Sequence, residues 1–163
     1  MHGERELSIH FVCTGNVYRS RLAEAYCASR CGSGIRVSSS GIAAGASGDA
    51  AISPYAADVL AQYSLGSYAA AGWQRTTPAL VQASDVLVFM ESVHRQFCAD
   101  WIVPGMVPGR QRIEVWGIED IGQMDTVAQI PDKVQRTFVI IRRQTDALLS
   151  ALGLSNVSEM KSR

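Results

Sequence analysis

The sequence predicts an α/β fold in which a four-stranded parallel sheet carries helices on both faces, giving three layers (α/β/α). Short apolar runs alternate along the chain with longer segments of helical character. Parallel strands need crossover connections, which helices usually supply. The run DVLVFM at residues 85–90 has no polar face after its first residue, which is typical of a central strand covered on both sides.

The remaining elements are predicted from local signals, in chain order. Three further β-prone runs predict strands over residues 7–12, 36–39 and 112–116. Helix-forming composition, Ser or Thr before Pro, and apolar residues at three- and four-residue steps predict helices over 21–30, 54–63, 78–83, 91–102 and 132–152. Segments rich in Gly, Ala, Ser or Pro predict loops at 42–48, 65–77 and 104–109, and 117–131 reads as irregular.

Length and charge limit the class of protein. A chain of 163 residues suits one domain over 1–163, with no internal repeat and no linker. Fifteen Lys and Arg residues balance fifteen Asp and Glu residues, which favours neither nucleic acid nor an anionic membrane as partner. No apolar stretch approaches the roughly 18–20 residues of a membrane span, and the N-terminal residues lack a signal region. We therefore expect a cytoplasmic protein that does not insert into membranes.

The cysteines and histidines do not form a metal-binding pattern. The four cysteines are expected to be free thiols, as is usual in cytoplasmic proteins, and Cys27 and Cys31 are expected to be buried structural thiols. The three histidines lack ligand spacing, and His94 is expected on the surface of its helix. The sequence therefore predicts neither a metal nor another cofactor.

The segment CTGNVYRS, which follows the first strand and precedes the first helix, carries the functional signal. A loop that ends in a helix N-terminus points backbone N–H groups and a partial positive charge at one spot, which suits a phosphate. Gly15 and Asn16 tolerate the left-handed backbone of a tightly curled loop. The residues predicted to line this phosphate loop, besides Cys13 and Arg19, are Thr14, Gly15, Asn16, Val17, Tyr18 and Ser20.

Two side chains of this loop predict its chemistry. Arg19 is expected to grip two phosphate oxygens and to hold the additional charge of a transition state. Cys13 is expected to be a thiolate, because N–H donors, an arginine and a helix N-terminus surround it. A thiolate attacks phosphorus readily, and Ser20 is suitably placed to donate a hydrogen bond to the sulfur.

The chain resembles the low-molecular-weight protein tyrosine phosphatases. The resemblance rests on FVCTGNVYRS at 11–20, VSSSG at 37–41 and SDVLVFMESVHR at 84–95, in that order along the chain. It implies a two-step, metal-independent mechanism through phospho-cysteine, with Cys13 as nucleophile and Arg19 as phosphate clamp. It also implies that Asn16 braces the loop through serines 38–40. Asp120 is the best match to the family's general acid, with Glu119 and Asp125 as alternatives.

The sequence departs from the family pattern near the site. Tyr18 stands where a second cysteine is usual, so its bulky side chain must point away from the phosphate and the reversible shield against oxidation should be missing. Arg21 replaces a proline and is expected to add positive charge near the loop. Ile121 replaces the proline after the acid. Gly122 and Gln123 replace aromatic residues, so with the small residues of 42–48 they predict a shallow or wide pocket.

The resemblance implies hydrolysis of phosphotyrosine in proteins. The expected partners are a tyrosine-phosphorylated protein and a cognate tyrosine kinase. The aliphatic Val17 favours phosphotyrosine over phosphoarginine. An arsenate reductase of the same fold is an alternative, but its disulfide relay needs two further cysteines. A phosphate-binding module without catalysis is the third alternative. Trp73, Trp101 and Trp116 are expected to pack in the protein.

Overall fold

The four-stranded parallel sheet is confirmed. The computed structural model describes residues 6–46, 51–102 and 111–154. All of its strand pairs are parallel, in the spatial order β2-β1-β3-β4. The strands are β1 Leu7–Cys13, β2 Ile35–Gly41, β3 Val86–Phe89 and β4 Arg112–Val115.

The helices follow the predicted order. They are α1 Arg19–Arg30, α2 Pro54–Gln62, α3 Pro78–Ala83, α4 Ser92–Phe97 and α5 Ile130–Ala151. Short 3₁₀ turns lie at Gly66–Tyr68 and Ala99–Trp101. No helix among the described residues is long and apolar enough to cross a membrane. The predicted turn at 104–109 and the chain after residue 154 lie outside the described residues.

Three helix boundaries differ from the prediction by two residues or more, and one of them is the start of α5, which lies at Ile130 instead of residue 132. The helix expected over 91–102 ends at Phe97, because the backbone N–H of Cys98 is drawn to several preceding carbonyls and the chain tightens into a 3₁₀ turn. Helix α1 begins at Arg19, two residues before the predicted start. Arg19 and Ser20 therefore belong to the first helical turn, whose N–H groups have no partner within the helix.

The sheet is covered on both faces, as predicted for three layers. Along β1, Ile9 and Phe11 pack into the larger core, which includes residues of α1, α2 and α5. Val12 points to the opposite face and joins a smaller core with Val81 of α3 and Cys98 after α4. The alternation follows from the two-residue period of a strand.

The candidate site lies where the chain reverses direction across the sheet. From β1 the chain passes to β2 on one side and later to β3 on the other, and ligands of open α/β sheets bind at such a switch point. Cys13 ends β1, and Glu91 follows β3 by two residues. At the end of β2, a Cβ on Gly41 would lie 2.5 Å from the Thr14 carbonyl oxygen, so glycine allows the loop to pack there.

Arg21 does not add free charge near the loop, contrary to the sequence prediction. Its side chain is buried, and its Nε lies 3.5 Å from the Glu24 carboxylate. The guanidinium donates to the carbonyls of Asn16 in the phosphate loop, at 3.3 Å, of Ala51, at 2.8 Å, and of Ala70. A buried arginine is tolerated when it is paired in this way. Arg21 therefore fastens α1 to the phosphate loop and to two further loops, and its charge is paired with a carboxylate of its own helix.

Candidate active site

Asn16 holds the predicted phosphate loop in shape. Its backbone adopts a positive φ of 55°, a conformation that asparagine accepts more readily than most residues. Its amide nitrogen donates to Ser20 Oγ at 2.8 Å and to Ser39 Oγ at 2.9 Å, and its amide oxygen accepts the Gln74 N–H at 2.9 Å. The predicted brace is thus confirmed at Ser39, while Gln74 is a partner that sequence reasoning missed.

Gly15 does not share this backbone conformation, contrary to expectation. Among the glycines described, positive φ values occur at four positions that do not include it. A Cβ on Gly15 would be in ordinary contact with the Val17 side chain at 3.5 Å. The left-handed step of the loop is therefore taken by Asn16.

The sulfur of Cys13 is buried and faces two hydrogen-bond donors. The backbone N–H of Asn16 points at it at 3.3 Å, and Ser20 Oγ lies 2.9 Å away. Since Ser20 Oγ already accepts from the Asn16 amide, its own proton is available for the sulfur. Two donors therefore point at the sulfur from within the loop.

The buried guanidinium of Arg19 is anchored on one side. Its Nη1 lies 2.6 Å from Glu91 Oε1 and 2.8 Å from the Ile118 carbonyl oxygen. Its Nη2 makes longer contacts, at 3.3 Å to Asp120 Oδ2 and 3.4 Å to Thr14 Oγ1. The Nη2 edge therefore faces the rim of the loop, where both Asp120 and Thr14 lie.

Of the three carboxylates considered for the acid, only Asp120 contacts Arg19. Asp125 bonds to Lys133 Nζ at 2.8 Å, and that contact with the ammonium lowers the pKa of the Asp125 carboxyl. Glu119 is exposed, and its carboxylate lies 3.9 Å from the same lysine. The loop after β4 thus turns Asp120 toward Arg19 and the other two acids toward Lys133 of α5.

Tyr18 points away from the loop, as predicted from its bulk. Its ring is buried in the larger core, and burial raises the pKa of its phenol. The hydroxyl is buried near Thr137 of α5 and has no hydrogen-bond partner among the described residues. Tyr18 therefore contributes only backbone to the loop, whereas Val17 remains half-buried at its edge.

His94 was expected on a helix surface, and that expectation is wrong. The side chain is fully buried. Its Nδ1 accepts the Glu91 N–H at 3.0 Å, and its Nε2 lies 2.9 Å from Thr14 Oγ1. Burial, with a smaller contribution from Arg19, lowers the pKa of His94 to about 4. The missed signal was the spacing of Glu91 and His94, which form a capping box at the start of α4.

His10 is a second buried neutral histidine. It lies in the middle of β1 and is 1% exposed. Its ring nitrogens are 2.7 Å from Ser38 Oγ and 2.7 Å from Ser40 Oγ. Burial, with a smaller contribution from Arg36, lowers its pKa to about 4.

Because His10 and His94 are buried in the neutral form, we expect the protein to lose stability in mild acid. Each takes up a proton near pH 6.5 when unfolded but only near pH 4 when folded. Between these values the unfolded state binds more protons, so the free energy of unfolding falls as the pH falls. We expect the slope for each histidine to rise from a small value at pH 7 toward about 1.4 kcal/mol per pH unit near pH 5, measured by urea unfolding between pH 7 and pH 5.

A matched substitution tests which residue is responsible. His94→Asn should remove about half of the pH dependence, because His10 still titrates. Equal unfolding free energies of the wild-type protein at pH 7 and pH 5 would contradict the prediction.

The other cysteines lie away from Cys13. Cys27 is buried as predicted, but Cys31 is half-buried, because it caps the end of α1 where the chain leaves the core. Their sulfur atoms are 3.9 Å apart, while Cys98 lies in the smaller core. Within the described ranges, no group of three or more His, Cys, Asp or Glu side chains is arranged to hold a metal ion.

The wall formed by the loop after β2 is less open than its small residues suggest. Ala43 donates its N–H to the Thr14 carbonyl at 2.8 Å, which places this loop beside the phosphate loop. The half-exposed Trp73 ring covers Gly45 so closely that a Cβ there would lie 2.4 Å from the ring. Gly122, on the side of the acid, is exposed. The loop after β2 is therefore covered by an aromatic ring at Gly45, while the segment around Gly122 is open to solvent.

Together these features place a cysteine and an arginine in one loop at a helix N-terminus, at the switch point of an α/β sheet, which is the arrangement of a cysteine-dependent phosphatase. The chain belongs to the low molecular weight phosphotyrosine protein phosphatase family, whose model matches residues 8–117. It has no significant match among curated protein sequences.

Solved structures of three kinds of enzyme share this fold. The tyrosine phosphatase Wzb from Escherichia coli K30 has a TM-score of 0.70 at 21% identity, over 89% of this chain and 97% of that one. A thioredoxin-dependent arsenate reductase from Corynebacterium glutamicum scores 0.66 at 23% identity, over 94% of this chain and 65% of that one. A mutant of YwlE from Bacillus subtilis, an arginine phosphatase, scores 0.61 at 21% identity, over 88% and 99%.

Proposed function

We propose that this protein hydrolyses phosphotyrosine in proteins through a phospho-cysteine intermediate, without a metal ion or other cofactor. The observation that carries the proposal is the position of Cys13, whose sulfur faces two donors while Arg19 and Asp120 meet at the rim of the same loop.

In the first step, the Cys13 thiolate attacks the phosphorus of the ester. The P–S bond forms as the bond from phosphorus to the tyrosine oxygen breaks. Asp120, as the carboxylic acid, gives its proton to the departing phenolate. Arg19 offers its Nη2 edge to the phosphate oxygens, and the N–H groups at the start of α1 bind the remaining negative charge.

In the second step, water attacks the phospho-cysteine. The Asp120 carboxylate takes a proton from the water as the new P–O bond forms and the P–S bond breaks. The electron pair of that bond returns to sulfur as the thiolate. The Ser20 hydroxyl and the Asn16 N–H stabilise this leaving group, because both point at the sulfur.

Phosphotyrosine is the favoured substrate for two reasons. Val17 presents an aliphatic side chain at the edge of the loop, and the half-exposed Trp73 supplies an aromatic surface on the neighbouring loop. The expected partners are tyrosine-phosphorylated proteins, and through them a cognate tyrosine kinase. The proposed compartment is the cytoplasm.

Arsenate reduction is disfavoured by the positions of the other thiols. Cys27 lies eight residues beyond Arg19 on α1, which is about 12 Å along the helix axis. Cys98 lies in the smaller core, on the other face of the sheet. Neither position offers a thiol that meets Cys13 to form a disulfide relay.

A substrate panel tests the proposal. The purified protein is assayed in a chelating buffer with a phosphotyrosine peptide, a phosphoarginine peptide, a phosphoserine peptide, and arsenate supplied with thioredoxin. We expect phosphotyrosine to give the highest kcat/KM. A higher kcat/KM for phosphoarginine would mean that the substrate is an arginine phosphate, and turnover of arsenate would mean that the protein is a reductase. Phosphate binding without any turnover would indicate a binding module.

A further inference from the structure

We propose that Thr14 donates its hydroxyl proton to the bound phosphate group and that His94 is the positioning residue that forces it to do so. The proposal rests on the proposed function, since it concerns how the same loop binds a phosphate ester.

The tautomer of His94 follows from its contacts. Its Nδ1 lies 3.0 Å from the backbone nitrogen of Glu91, which carries a hydrogen and can only donate. Nδ1 must therefore be the unprotonated acceptor, and the single N–H of the neutral ring lies at Nε2. That nitrogen is 2.9 Å from Thr14 Oγ1, so His94 donates to the threonine.

The second neighbour of the Thr14 hydroxyl is also a donor. Arg19 Nη2 lies 3.4 Å from Thr14 Oγ1, and a guanidinium has no acceptor. His94 and Arg19 thus take the two lone pairs of the hydroxyl oxygen. The hydroxyl proton is left for a third group.

The position of Thr14 identifies that third group. Thr14 is the residue after Cys13, and its side chain is exposed at the rim of the loop. It shares the Nη2 edge of Arg19 with Asp120. An anion held by Arg19 on this edge meets the hydroxyl proton directly. Because the histidine is fully buried and also accepts from the Glu91 backbone, its ring is fixed and the hydroxyl is oriented before the ligand arrives.

Direct calorimetric titration with inorganic phosphate tests this arrangement without relying on turnover. We expect Thr14→Val to weaken phosphate binding by about tenfold, as expected for a hydrogen bond to a charged group. Thr14→Ser should restore most of the affinity, because it keeps the hydroxyl. Equal phosphate affinities of Thr14→Val and the wild type would overturn the proposal. Failure of the wild-type protein to bind phosphate would instead reject the proposed function.

His94→Asn separates the positioning role from the helix cap. The asparagine Oδ1 replaces Nδ1 as acceptor for the Glu91 N–H, but its shorter side chain does not reach Thr14. We expect weaker phosphate binding in the wild-type background and no further loss in Thr14→Val. Equal losses in both backgrounds would show that His94 acts independently of Thr14 and would overturn its positioning role. If His94→Asn fails to fold, His94→Gln keeps an amide oxygen for the helix cap and takes its place in the same comparison, and Thr14→Val against Thr14→Ser still decides whether Thr14 donates to the phosphate.

Discussion

Replacing Cys13 with serine is expected to lower kcat for a phosphotyrosine peptide by a factor on the order of 10⁴–10⁶, the scale of removing a covalent nucleophile. The loss arises because a serine hydroxyl stays protonated where a thiolate would form, while the two donors that now face sulfur offer no base to accept its proton. Steady-state hydrolysis and a rapid-quench search for phospho-cysteine measure the effect. The wild type should accumulate a phosphoprotein that turns over, because the P–S bond releases a thiolate. Any phosphate that Cys13→Ser takes up should stay on the serine, because an oxygen ester lacks that leaving group.

Cys31→Ser is the matched control, because it removes another thiol at the far end of α1. It should leave turnover of the phosphopeptide unchanged. Cys13→Ser should still bind phosphate, since Arg19 and the N–H groups of the loop remain. If Cys13→Ser keeps more than a few per cent of wild-type activity, the nucleophile is another group and the two-step mechanism is wrong.

The fold was predictable because its signals are local. The run at 85–90 is apolar on both faces, and it becomes the central strand β3, covered on both faces. Thr77 before Pro78 predicted a helix start, and the Thr77 side chain indeed accepts the Leu80 N–H at 3.2 Å. Such signals depend only on neighbours in the chain, which the sequence displays directly.

The contacts that fix the site were harder to predict because they join distant segments. Gln74 reaches Asn16 from 58 residues away, and His94 reaches Thr14 from 80 residues away. The His94 contact follows from the order of strands, which sets the ends of β1 and β3 side by side. Gln74 lies instead at the end of β2, where its carbonyl accepts the Gly41 N–H at 3.0 Å. His94 was predicted on a helix surface from the pattern of its own helix alone, without the residues after β1 that lie beside it.

Arg21 illustrates the same limit for charge. Its position after the loop suggested added positive potential, but Glu24 pairs with it and three carbonyls accept from its guanidinium. Two of those carbonyls lie 30 and 49 residues away in the chain. Arg21 is one of the positive charges in the composition, but in the fold it holds segments together. Arg19 is therefore the arginine of this segment that is placed to attract a phosphate.

Replacing Asp120 with asparagine is expected to lower kcat for a phosphotyrosine peptide by about 10²–10⁴-fold, the range of general acid–base catalysis. The tyrosine phenolate is a strong base with a conjugate acid pKa of about 10, so its departure depends on proton donation. p-Nitrophenolate is a much weaker base and leaves more easily without a proton. Asp120→Asn should therefore slow the first step less with p-nitrophenyl phosphate than with the phosphotyrosine peptide. The rate of the pre-steady-state burst of p-nitrophenol measures that step.

Glu119→Gln and Asp125→Asn are the matched controls, since each removes one neighbouring carboxylate that faces Lys133. Neither variant should slow the phosphotyrosine peptide more than p-nitrophenyl phosphate. If Asp125→Asn produces it and Asp120→Asn does not, the loop must rearrange when substrate binds and the acid is Asp125.

Asp120→Asn also removes a negative charge 3.3 Å from Arg19, and this side effect has a predictable sign. An anionic carboxylate repels a bound phosphate, so its neutralisation should leave phosphate affinity equal or higher. A variant that binds phosphate at least as tightly as the wild type yet hydrolyses phosphotyrosine poorly has lost proton transfer. A variant that loses binding and turnover together has lost the geometry of Arg19, and Asp120 would then be a support for the arginine instead of the acid.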